Sequence, residues 1–248
     1  MPSDPGAAMT ATTSPSAGAK VGRRFYLIMS LAMAAVFVAG FSTTVPGDFA
    51  PSPGLPLLLH VHGAVFTCWV LVFVAQPALV ARGSLALHRK VGMIGAGLAV
   101  AMIVMGVAAT LFSVRIDRVP PFFPPAIFLV MNTIGILVFG GLVAAGVALR
   151  RKAEWHKRLM LCATVSILGP GFGRLLPMQD FGPAAPLVMF GAIAAFAFAG
   201  PVADLVVRKR IHPAYFWGVG AILLSMVLIG PLAMSPPGQA ALRMVQGS

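Results

Sequence analysis

Long apolar runs, each about 20 residues and separated by short clusters of charge, constrain this chain more than any other feature. A hydrocarbon layer offers no water to an unpaired N–H or C=O. A crossing chain must therefore close its backbone hydrogen bonds inside helices or a closed barrel. The runs are continuously apolar and long, which makes them helices. Composition agrees: 58% of the residues are hydrophobic, 10% are charged, and the mean hydropathy is +0.92. A water-facing domain carries about 25% charged residues. Lipid must face much of this protein.

The runs predict an all-α integral membrane protein, a bundle of seven transmembrane helices. Residues 1–19 are small and polar and form an expected disordered tail. The transmembrane domain occupies residues 20–234, and residues 235–248 form a polar C-terminal tail. Within the domain the expected helices are 25–41, 57–81, 88–112, 126–149, 155–168, 183–207 and 214–234. A cluster of Gly169, Pro170, Gly171 and Gly173 is expected to break or kink the fifth helix. Cys68 and Cys162 lie inside apolar runs with no CxxC, and read as small apolar side chains.

Charge sets the orientation. Of 18 Lys and Arg, only Arg115, Arg118, Arg174 and Arg243 fall on one side when the helices alternate. The rest crowd the other side, which the positive-inside bias makes the cytoplasm. The expected location is a bacterial inner membrane, N-terminus in the cytoplasm and C-terminus outside. The net charge of +12 therefore meets anionic lipid headgroups at the basic turns rather than nucleic acid.

Two of those turns resemble each other. His88-Arg89-Lys90 lies six residues past Arg82, and His156-Lys157-Arg158 lies six past Arg150. Arg208-Lys209-Arg210-Ile211-His212 is a fainter third copy. The bundle thus reads as three repeated helical hairpins sharing one direction.

The histidines are the candidate chemistry. His88 and His156 begin outward-running helices at the same depth, as two axial ligands of one haem or two ligands of a metal must. Gly92, Gly95 and Ala99 on the His88 face leave room for close helix approach or for a flat macrocycle. His62, Trp69 and Gln76 are seven residues apart on one face of the second helix. His60 lies about 200° around from His62, so the two do not chelate from one helix. His62 and Arg174 sit toward the outer side and are candidate cofactor contacts there. Asn132 is an intramembrane amide, and Asp204 is an acid within an apolar run, four residues before Arg208, which makes it either an i,i+4 ion pair or a proton or cation site. No Walker motif, HExxH or GxSxG is present, so no catalytic residue is assigned and enzyme status stays open.

His60-Val61-His62-Gly63 leading to Trp69 and Gln76, then Leu87-His88-Arg89-Lys90-Val91-Gly92, then His156-Lys157-Arg158-Leu159-Met160, resembles bacterial multi-helix membrane proteins filed as domains of unknown function. That resemblance covers the second to seventh helices and implies no established activity. A more distant likeness is to transmembrane b-type cytochromes of the ascorbate-dependent ferric reductase kind. Those imply two haems held by four histidines at two depths, whereas this chain offers one same-depth pair and an outer His62. Two functions follow. One is electron transfer through haem b or a metal held by His88 and His156. The other is a small-solute transporter, or a non-redox assembly or lipid-interacting protein. The implied partners are the bilayer and either a second copy of the chain or another membrane-complex subunit.

Overall fold

The computed structural model describes residues 17–44 and 55–247. The expected N-terminal tail up to residue 16, and most of the loop between the first two helices, lie outside the described residues. The described chain forms α1 (Ala17–Ser42), α2 (Leu57–Ala81), α3 (Leu85–Arg115), α4 (Pro125–Ala148), α5 (Ala153–Ser166), α6 (Gly169–Leu175), α7 (Ala185–Arg208), α8 (Ala214–Met234) and α9 (Pro236–Gln246). A 3-10 turn, Gly182–Ala184, leads into α7. Among the described residues six helices are long and apolar enough to cross a membrane, namely α1 from Arg24, α2, α3, α4, α7 with its leading turn, and α8. The protein is a multi-pass membrane protein. One end of the bundle carries the turns rich in Lys and Arg and is called the basic end. The other is the far end.

The expected fifth crossing differs from the rest. α5 is 14 residues long and carries Glu154, His156, Lys157 and Arg158 in its first turns. It is also the most enclosed segment, with Arg158, Leu159 and Leu161–Val165 all buried. The chain breaks at Ile167 and Leu168, where the last amides of α5 bond only three residues back, to Thr164 (3.4 Å) and Val165 (3.1 Å). Pro170 then has no N–H to offer the Ser166 carbonyl. The glycine cluster expected as the breaker instead forms α6, because Pro fits a helix's first turn. Its Gly171 lies so close to Gly40 of α1 that a Cβ on Gly40 would strike the Gly171 carbonyl.

α4 and α5 sit centrally. α4 packs on α3, α5 and α8, while α1 covers α6 and α2. Met33, Met102, Phe139, Leu168, Met189 and Ile222 fill the interior. The first two hairpins pack closely within themselves. α7 and α8 touch each other less, and α8 lies mainly on α4 and α5. The third hairpin thus occupies a different environment from the first two.

The expected polar C-terminal tail folds into α9. Ser235 caps it by accepting the Gly238 N–H (3.2 Å), and Gln239 Nε2 donates to the Ala233 carbonyl (2.7 Å). It folds back on the far ends of α3, α4 and α8. Pro236 and Pro237 sit in its first turn, where N–H groups have no intrahelical acceptor, so the missing hydrogens cost no helical bond.

Candidate functional site

Three polar assemblies lie within this apolar frame. The first closes the basic end. Arg158 is 1% exposed and grips Asp204 of α7 with two parallel bonds, Nε to Oδ2 (2.9 Å) and Nη2 to Oδ1. Its Nη1 donates to the carbonyl (2.9 Å) and carboxylate (2.7 Å) of Glu154. Glu154 also receives Lys157 (2.6 Å) and Arg208. Asp204 takes the backbone N–H of His212 (3.0 Å), in the turn made possible by the left-handed Lys209. The Arg158 guanidinium lies 5.5 Å from the Tyr215 ring centre, and the Tyr215 hydroxyl is 3.4 Å from that of Tyr26. The expected pair of Asp204 with Arg208 is therefore replaced. Asp204 binds Arg158 across two helices, and Arg208 reaches Glu154. A buried charge demands paired, bidentate partners, and one half-buried i,i+4 cation does not supply that.

The second assembly joins His88 and His156. Their ring centres are 6.3 Å apart with planes at 87°. His156 Nδ1 lies 2.8 Å from the Gly146 carbonyl at the end of α4. A neutral imidazole bonded this way donates through Nδ1 and keeps its lone pair on Nε2. His88 meets the Gln76 amide. With its oxygen on the Gly92 N–H (3.0 Å), the amide nitrogen reaches His88 Nδ1. That bond occupies the His88 Nδ1 lone pair and places its hydrogen on Nε2. Neither ring lines the large cavity. Among the described residues no three His, Cys, Asp or Glu side chains gather to hold a metal ion.

The third assembly is a cavity of about 1240 Å³ at the far end. Its walls come from α1 to α8, and Phe66, Phe123, Phe128, Met189 and Phe190 make them largely apolar. It reaches Ile222, about 18 Å in from the far end of α8 at 1.5 Å per residue, or near mid-depth. Arg118 and Asp180 line it from the loops, and Arg174 lines it from α6. Arg174 Nη1 donates to the Pro170 carbonyl (3.1 Å), Nε donates to Thr44 (3.3 Å), and the guanidinium lies 4.3 Å from the Phe41 ring centre. His62 lines the same cavity with its ring 4.2 Å from that of Phe66, and its buried Nδ1 has no hydrogen-bond partner among the described residues.

The four sequence candidates thus form two pairs. His88 and His156 meet at the basic end, and His62 and Arg174 share the far cavity. Nothing in the geometry joins one pair to the other. His212, in the third turn, bonds its own chain instead, its Nδ1 accepting the Ala214 N–H (3.1 Å). The expected face of α2 is real. His62 lines the cavity, Trp69 is buried with its ring 4.9 Å from that of Phe139, and Gln76 ends on His88. The sequence reading missed the Gln76–His88 contact and the role of Arg158. An inward face ending in an amide signals the first. For the second, the i,i+4 spacing of Glu154 and Arg158 is the one local sign. No family model matches the chain, and no curated protein or solved structure does either.

Proposed function

We propose that this protein carries a small solute across the membrane and is held here with its far side open. The observation behind this reading is the cavity, which enters from the far end and stops near mid-depth, while the buried ion cluster closes the basic end. A helix broken beside the cavity supports it, because Ser166, Ile167, Gly169 and Pro170 all line the wall. Carriers commonly place interrupted helices at a central site. In this reading α5 and α6 together make a seventh, interrupted crossing. The basic end faces the cytoplasm by the positive-inside bias, and the membrane is a bacterial inner membrane. The test needs no known solute. Thr110→Cys, in a Cys68→Ser background, should react in intact cells with a membrane-impermeant maleimide. Reaction only from the cytoplasmic face of inverted vesicles would reverse the orientation. No reaction from either face would mean that water does not enter the cavity.

A second reading keeps the His88–His156 pair as an electron-transfer site for haem b or a metal. The approach of the rings and the Gly146 carbonyl behind His156 support it, since ligating histidines hold a second partner in this way. The Gln76 contact opposes it, because His88 must first give up that bond. Oxidised and dithionite-reduced absorption spectra decide the matter. A Soret band lost in both His88→Ala and His156→Ala supports the site. A featureless spectrum from haem-replete cells removes it.

A further inference from the structure

The hydroxyl groups deep in the cavity share one property. Thr110 on α3 donates its hydroxyl hydrogen to the Gly106 carbonyl (2.8 Å). Ser166 on α5 donates to Ala163 (2.7 Å), and Ser225 on α8 donates to Ile222 (2.6 Å). Asn132 on α4 gives one amide hydrogen to Phe128 (2.8 Å), which leaves its carbonyl oxygen and one N–H. Each hydroxyl has spent its only hydrogen on its own helix, so it offers the cavity lone pairs. All four residues line the wall, each from a different helix. Pro170 adds the Ser166 carbonyl, which it leaves without a helical donor. This part of the wall thus offers more hydrogen-bond acceptors than donors, the second Asn132 N–H being the donor these four residues keep, and phenylalanine and methionine bound it.

A ligand matching such a wall brings the hydrogen. An anion brings more acceptors and, among the described residues, finds arginines in the lining only at Arg118 in a loop and Arg174 on the short α6. An organic cation brings donors but passes those same arginines. We propose that the carried solute is a neutral, largely apolar molecule bearing a hydroxyl donor, that is, a phenol or an apolar alcohol. This rests on the carrier reading above and names its substrate class.

The experiment is calorimetric titration of the full chain in phosphatidylcholine nanodiscs, with empty nanodiscs as the blank. The probes are 4-hexylphenol, its methyl ether and 4-hexylbenzoate. The phenol is expected to bind at least tenfold more tightly than the ether, which has the same body without the hydrogen. In Asn132→Leu and in Ser225→Ala the phenol-to-ether ratio should fall by several-fold while ether affinity holds. The retained ether binding also shows that each variant is folded. Equal binding of phenol and ether by the wild-type chain overturns the donor assignment and leaves the cavity reading standing. Tighter binding of the benzoate overturns it in favour of an anion site. No saturable binding by any probe overturns both the assignment and the cavity reading.

Discussion

Arg158 shows what a single residue does in this interior. Its charge is almost fully enclosed, and Asp204 and Glu154 take its hydrogens. Removing Arg158 leaves the Asp204 charge buried without a cation, which costs about 3–5 kcal/mol, and neutralising Asp204 leaves the buried guanidinium with Glu154 as its one carboxylate. Arg158→Leu and Asp204→Asn should each lower the thermal midpoint in detergent sharply. Arg158→Met combined with Asp204→Leu should recover most of that loss, because an apolar pair of similar volume often replaces a buried ion pair at little cost. A double variant as unstable as the singles would mean that other partners carry the cluster. His212 sits in the turn beside this pair, outside the crossings. Burial lowers its pKa from 6.5, the charges of Arg158 and Arg208 lower it further, and Asp204 and Glu154 oppose the shift. The Ala214 N–H on Nδ1 also requires an unprotonated nitrogen. The unfolded chain therefore binds a proton here more readily than the folded one. The stability contributed is full above pH 6.5 and is lost as pH falls from there through the lowered folded value. Nitrogen NMR of labelled histidine should find His212 neutral at pH 6.5, and a midpoint at or above that value would contradict the turn geometry.

At the scale of elements, close approach decides stability. A side chain on Gly40 meets the backbone of α6, which cannot swing aside as a flexible side chain could. Gly141 on α4 has open space where its Cβ would go. Gly40→Leu should therefore destabilise by at least about 1–3 kcal/mol, the usual cost of overpacking, while Gly141→Leu should leave the melting midpoint nearly unchanged. Similar losses in both would place α1 elsewhere. The same elements show how far the sequence can be read. Both ends of α2 and α8 fall where prolines, charge and the edges of the apolar run put them. α5 and α6 do not, because Gly and Pro signal a break but not its position. Packing on α1 keeps that stretch helical and moves the break two residues earlier. The meeting of His88 and His156 was legible, since both begin helices at one depth. The cavity was not legible. Thr110, Asn132, Ser166 and Ser225 each look like an isolated polar residue in an apolar run, and only the bundle brings them to one wall.

For the whole molecule, the two ends are unlike in a way that bears on movement. The far end holds open space, and the basic end is tied by charge between α5 and α7. A carrier that opens toward the basic end must part those helices, so the Arg158–Asp204 bonds weigh on the balance between its two states. A change of a few kcal/mol moves such a balance by orders of magnitude. Asp204→Asn keeps the shape of the side chain and removes its charge. In a Ser225→Cys, Cys68→Ser background it should slow labelling by an impermeant maleimide from the far side and speed labelling from the basic side. Ser225 is the residue to use because it lines the cavity about 13 Å in from the far end of α8, near the depth that both openings must reach. Unfolding alone would raise labelling from both sides together, so a reciprocal change separates a shifted balance from lost structure. Unchanged labelling on both faces would show that the cluster ties the helices without gating them, and the closed end would then belong to a static binding protein.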